Sequence, residues 1–120
     1  MNIRTRVQDF EPTTSIDTFV HQRLQAALAR FHDGVAAVDV SMKDVNGPKG
    51  GIDKAVLIVV RMRSGRPITL ETSDEDLYAA ISRGAKRAKR AVRRSLRKSR
   101  RIERRRLRNL SALRAGEAGA

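Results

Sequence analysis

Residues 83 to 108 set fifteen lysines and arginines against a single acid, Glu103. No stretch of that composition can be surrounded by protein, because taking unpaired charges out of water is too costly. One narrow face can meet a core, and the other faces must meet water or a polyanion. The remainder of the chain is close to balanced. Residues 1 to 82 carry ten bases and eleven acids, net −1, whereas residues 83 to 120 carry sixteen bases and two acids, net +14. One end of a +13 chain therefore holds the positive field. Such asymmetry selects a polyanionic partner, most often nucleic acid.

At 120 residues the chain is long enough for one domain with a modest core and no staples. It has no Cys, so disulfides, thiolate metal sites and Cys nucleophiles are excluded. The N-terminus, Met1 to Arg6, has no apolar signal region. The longest aliphatic run, Ala55 to Val60, suits a strand and is far too short to span a bilayer. A soluble cytoplasmic protein, monomeric when free, is expected.

Residues 2 to 8 alternate, with Ile3, Thr5 and Val7 on one side and Arg4, Arg6 and Gln8 on the other. Successive strand side chains point to opposite faces, so this is strand period. Pro12 and the Thr13-Thr14-Ser15 cluster stop the strand and offer helix caps, with Asp17 placed to close a capping box on Thr14. Ile16, Phe19, Val20, Leu24, Ala27, Leu28 and Phe31 then step by three and four, which makes one helix face. That helix is predicted to end near His32, with Gly34 taking a left-handed turn.

Residues 35 to 45 and 53 to 63 read as two more strands, separated by a loop at Asn46 to Gly51. Ser64-Gly65-Arg66 is a tight turn. Pro67 opens a fourth strand in which Ile68, Leu70 and Thr72 share a face. Ser73 is predicted to cap the last helix, and Asp74, Glu75 and Asp76 suit its positive N-terminal end.

The inward stripe of that helix reads Leu77, Ile81, Ala85, Ala88 and Val92, then thins through Ser95 or Leu96, Ser99 and Ile102. The helix is thus expected to leave the core between Val92 and Leu96. The opposite stripe runs on through Arg83, Arg87, Arg90, Arg94, Arg97, Arg101, Arg104 and Arg108, widened by Lys86, Lys89, Arg93, Lys98, Arg100 and Arg105. The predicted fold is α/β (α+β): a two-layer β-α-β-β-β-α unit with a four-stranded mixed sheet and both helices on one face. Residues 1–96 form the α/β domain, and residues 97–120 a basic helical extension and flexible tail.

Asp76-Leu77-Tyr78-Ala79-Ala80-Ile81, directly after Thr72-Ser73-Asp74-Glu75, resembles the Asp-(Met/Leu)-Tyr-Ala-Ala-Ile segment of the ribosome hibernation-promoting factors, the family that includes the ribosome-associated inhibitor protein Y. Phe19-Val20 followed by Arg23-Leu24 is similar to the family's Phe-Val and Lys-Phe. The order of elements agrees over residues 1 to about 98. The resemblance implies a translation inhibitor that binds the small ribosomal subunit in the mRNA and tRNA channel and contacts rRNA with basic residues of both helices. Arg23 matches a basic position of the first helix, and Arg87, Arg90, Arg94 and Lys98 match basic positions of the second. Arg30, Arg83, Lys86 and Arg97 complete the expected rRNA-binding set.

The chain departs from the family in several places. The family's glycine after strand one is replaced by Gln8-Asp9-Phe10. Ala85 and Ala88 stand where larger aliphatic residues are usual, which leaves open whether the second helix packs closer or more loosely. The tail is richer in Arg, and nothing follows it that matches the dimerisation domain of the family's long members, so a short form is expected.

Other chemistry has little support in the residues. His21 and His32 lack partners at metal-ligand spacing, and His32 suits a helix C-terminus. Gly47 to Gly51 lacks the P-loop's glycine spacing and its Ser or Thr after Lys. Tyr78, beside Leu77 and Ile81, reads as a packed core edge rather than a base-stacking platform. No nucleophile–base pair or cofactor loop appears, so no enzyme, cofactor or small-molecule substrate is expected. A membrane partner is not expected either, because the face opposite the arginines is read as lacking large apolar residues beyond Val92. The competing reading is a general double-stranded RNA- or DNA-binding protein without ribosome specificity.

Overall fold

The alternating stretches pair into one sheet in chain order. β1 is Asn2–Gln8, β2 Val35–Asp44, β3 Lys54–Met62 and β4 Ile68–Asp74. The structure, a computed structural model, describes residues 1–9, 11–45 and 54–119. The expected loop at Asn46 to Gly51 lies outside the described residues, as do Phe10 and Asp53. β1 and β2 are parallel, joined through the helix α1, Thr14–Leu28. The β2–β3 and β3–β4 pairs are antiparallel. The final helix, α2, spans Leu77–Gly119. The mixed sheet, the order of elements and the two helices are those expected from the periodicities.

One sheet face is buried. Ile3, Val38, Val40, Met42, Val56, Ile58, Val60 and Leu70 point into a core closed by Val20, Leu24 and Leu28 of α1 and by Ile81, Ala88 and Val92 of α2. Each large aliphatic side chain withdrawn here contributes roughly 1.5–3 kcal/mol relative to exposure. Val35 and Val38 are both buried although three residues apart. A register shift between Val35 and Ala37 absorbs the extra residue and restores the alternation.

Several local expectations are corrected. α1 stops at Leu28, and a 3₁₀ segment over Ala29–Gly34 carries the chain to β2. Gly34 takes no left-handed turn. Leu96 lies over it, and a β-carbon there would stand 2.9 Å from Leu96 Cδ2. The α1 cap is Thr13, whose hydroxyl accepts from the Ile16 amide at 3.1 Å. Asp17 closes no capping box; its carboxylate accepts the Thr5 hydroxyl at 2.6 Å and ties α1 to β1. Ser73 belongs to β4. The start of α2 is held by Asp76, whose side chain accepts from the Tyr78 amide, and by Asp74, which accepts from the Asp76 amide, both at 2.9 Å. The acidic cluster therefore does cap the helix, through Asp rather than Ser.

Two backbone positions need a positive φ. Gly65 in the β3–β4 turn has φ 91°. Asp9, where the family's glycine is missing, has φ 69°, and Asp is among the few residues that tolerate this region. The question left open by Ala85 and Ala88 resolves to close packing. Ala80, Ala85 and Ala88 are buried, and a β-carbon on Gly84 would stand 2.7 Å from Ile58 Cδ1. The small residues let the α2 backbone settle on β3 and β4, where the buried Thr72 hydroxyl donates to the Ala80 carbonyl at 2.8 Å.

Candidate nucleic-acid interface

α2 is 43 residues long, about 65 Å at 1.5 Å per residue. It outruns the body and gives the molecule its 75 Å length against widths of 23 and 17 Å. Val92 is fully buried, and Leu96 is half-buried against the core. Beyond Leu96 every described side chain of the helix is exposed. The exit from the core falls at the late end of the expected window.

Two contacts fix how α2 lies against the first helical segment. Tyr78 stands edge-on to Phe19, with ring centroids 4.8 Å apart and planes at 78°. Leu96 lies over Gly34. Tyr78 and Leu96 are eighteen residues apart, about five turns, so they share one azimuth on the helix. The α1–3₁₀ segment and α2 therefore run side by side in the same direction. Arg23 belongs to this seam, with its guanidinium carbon 5.1 Å from the Phe19 ring centroid in a cation–π arrangement. Tyr78 is 40% exposed, so it is a core-edge residue with one side open.

The other flank of α2 faces β4. Arg87 donates to the Glu71 carbonyl at 2.7 Å. Arg83 donates to the Ser73 carbonyl at 2.6 Å and to the Asp74 carboxylate at 3.1 Å. These two guanidiniums brace the helix against the sheet's edge strand. Each retains further donors, because a guanidinium carries five N–H groups.

Arg90, Arg94, Arg97 and Lys98 are different. All are exposed, and none has a hydrogen bond or ion pair among the described residues. Together with Arg93 and Arg101 they line a shallow cationic depression on the helix. Arg87, Arg90 and Arg94 also border a groove against Ile68, Thr69 and Leu70 of β4. Lys86 is exposed on α2, and Arg30 is exposed on the 3₁₀ segment. The nine residues predicted from sequence thus divide into two braces, one seam residue and six open cations. Arg93 and Arg101 were outside the predicted set. Both belonged to the widened stripe, and their spacing was the available signal: Arg93 is three from Arg90 and four from Arg97, and Arg101 is four from Arg97 and three from Lys98.

A second charged cluster lies on the open face of the sheet. Asp39 of β2 accepts from Arg61 at 2.9 Å and from Arg4 at 3.0 Å. The Arg61 hydrogen bond, helped by the charge and hydrogen bond of Arg4, holds the Asp39 carboxyl below its ordinary range. Among the described residues no group of three or more His, Cys, Asp or Glu could hold a metal ion. No helix among them is long and apolar enough to cross a membrane.

Comparison with known proteins follows the same lines. The sequence model of one family, described as sigma 54 modulation protein / S30EA ribosomal protein, matches residues 3–100. No curated protein sequence matches the chain. Among solved structures, the N-terminal domain of Thermus thermophilus protein Y superposes with a TM-score of 0.67 at 28% identity, covering 78% of this chain and 98% of that one. A ribosomal subunit interface protein from Coxiella burnetii shares the fold, with a TM-score of 0.64 at 13% identity over 79% of this chain and 97% of that one. The resemblance seen at Asp76 to Ile81 extends through the whole body, and the chain belongs to the sigma 54 modulation protein / S30EA ribosomal protein family.

Proposed function

We propose that this protein is a ribosome-associated hibernation factor that inhibits translation by occupying the mRNA and tRNA channel of the small subunit. The observation that carries this reading is the row of exposed arginines at Arg90, Arg94, Arg97 and Arg101, free of ion pairs among the described residues and set on a helix that Arg83 and Arg87 brace to the sheet. Unpaired guanidiniums release counterions from phosphate when they bind, and a fixed helix sets where they dock. Lys86 and Lys98 extend the same surface, and Arg23 and Arg30 add the α1 side. The family's designation as a ribosomal protein, together with the likeness to protein Y, supports reading rRNA as the target of this cationic surface. The same reading makes the protein cytoplasmic and non-enzymatic.

Residues 97–120 act as a basic extension of the 1–96 domain. Like charges three and four apart repel by roughly 0.2–0.5 kcal/mol per pair, and beyond Leu96 no described core contact offsets them. Bound phosphate removes that repulsion, so the extension is consolidated on RNA.

Sucrose-gradient sedimentation of lysate tests the function. The expected result is cosedimentation with small subunits and whole ribosomes at physiological salt, with protection of rRNA in the channel. Binding to naked double-stranded RNA with equal affinity, and no preference for ribosomes, would identify a general nucleic-acid binder instead.

A further inference from the structure

The stretch of α2 beyond the body is not uniformly polar. Ile102, Leu107, Leu110 and Leu113 are 56%, 54%, 45% and 63% exposed, four of the seven large apolar residues exposed among the described residues. This corrects the expectation that the face opposite the arginines lacks large apolar side chains past Val92. Eighteen residues make about five turns. Leu110 therefore has the azimuth of Val92, which is fully buried in the core, and Ile102 has that of Gly84, which lies on Ile58. Leu113 follows on the same side, at the azimuth of Ser95. The face that packs on the sheet inside the body thus continues past it with no described residue beneath. Ile102, Leu110 and Leu113 border a shallow, mostly apolar strip together with Arg105, Arg106 and Asn109.

We propose that this strip docks an acidic amphipathic helix of a partner protein. The charge around it decides the occupant. Residues 97 to 114 hold nine bases and one acid. A second copy would bring the same charge against itself, whereas a helix with carboxylates flanking an apolar seam would complement it. A lipid surface is the poorer match. Arg106 falls in the middle of the strip, and residues 97 to 119 contain no aromatic side chain to seat at a headgroup boundary. In a helix pair, by contrast, Arg106 meets a carboxylate, and the apolar residues at three- and four-residue spacing form the seam. The basic stripe points away from this seam, so the extension can hold RNA on one side and protein on the other.

The test uses the full chain without RNA, so its outcome is independent of the ribosomal reading. Fluorescence anisotropy is measured with a labelled designed helix that carries Leu at three- and four-residue spacing flanked by Glu. A scrambled peptide of the same composition is the control. The designed helix is expected to bind at physiological salt about ten-fold tighter than the scramble. The Ile102→Ala/Leu110→Ala/Leu113→Ala variant, which preserves helix propensity, is expected to bind both peptides alike. Equal binding of the two peptides by the unaltered chain would reduce the effect to net charge and overturn the proposal. Strip-dependent binding to phosphatidylserine vesicles without peptide discrimination, or strip-dependent self-association in sedimentation equilibrium, would overturn it in favour of lipid or a second copy.

Discussion

Gly84 of α2 lies over Ile58 of β3 so closely that a β-carbon at position 84 would stand 2.7 Å from Ile58 Cδ1 and 3.3 Å from Thr72 Oγ1. Ile58 is 1% exposed, so its side chain has no open space to turn into. Gly84→Val is expected to cost about 1–3 kcal/mol through overpacking, although glycine is a poor helix former. Urea denaturation of the variant measures this. Gly116, with open space around it, provides the contrast: Gly116→Ala should raise helical circular dichroism and leave the body's unfolding midpoint unchanged.

The open cations and the bracing cations should separate in mutagenesis. Arg90→Glu with Arg94→Glu is expected to weaken ribosome cosedimentation and to lower the slope of log K against log salt by about 2, with no change in thermal midpoint. Arg87→Glu removes the hydrogen bond to the Glu71 carbonyl and places a carboxylate beside that oxygen, so it should lower the midpoint as well. Full ribosome occupancy by the Arg90/Arg94 variant would exclude this helix surface as the rRNA contact.

Leu77 is 8% exposed at the first turn of α2, within the core cluster. Leu77→Ala should cost roughly 2–5 kcal/mol by leaving a cavity. The loss is read from the denaturant midpoint, with Tyr78 fluorescence reporting the nearby Phe19 contact.

Asp39 gives a pH dependence of known sign. Its folded-state pKa is lowered, first by the Arg61 hydrogen bond, so its contribution is full above the unfolded carboxylate value of about 4 and disappears as pH falls through the folded value. The two arginines are more than half exposed, which limits the contribution to about 0.5–1 kcal/mol. Asp39→Asn should therefore be less stable than the parent at neutral pH, and the two stability curves should converge below about pH 4. A constant gap between them down to pH 2 would show that the carboxylate's charge is not responsible.

The state of the extension is open to amide exchange. Residues 97 to 119 are expected to exchange faster than residues 77 to 92 in the free protein and to gain protection on binding RNA, because phosphate cancels the arginine repulsion. Equal protection of both segments without RNA would show that the extension is held by its own helical propensity.

Ile3, Val38, Val56 and Leu70 announced their strands, and Val20, Leu24, Ile81 and Val92 their helix faces, because period two and period 3.6 are properties of neighbouring residues. The concentration of charge after residue 82 was equally legible, since net charge needs no coordinates. Local chemistry also located the start of α1 to within a residue, at Thr13, whereas Asp76 rather than Ser73 holds α2 and α1 ends at Leu28, four residues before His32. Residues remote in the chain decided the rest. The carbonyls of Glu71 and Ser73 turned Arg87 and Arg83 into braces, and Phe19 drew Arg23 and Tyr78 into one seam. Ile58 explains why position 84 carries glycine. Such contacts depend on which surfaces meet across the core, and spacing along a single helix or strand does not specify its neighbour.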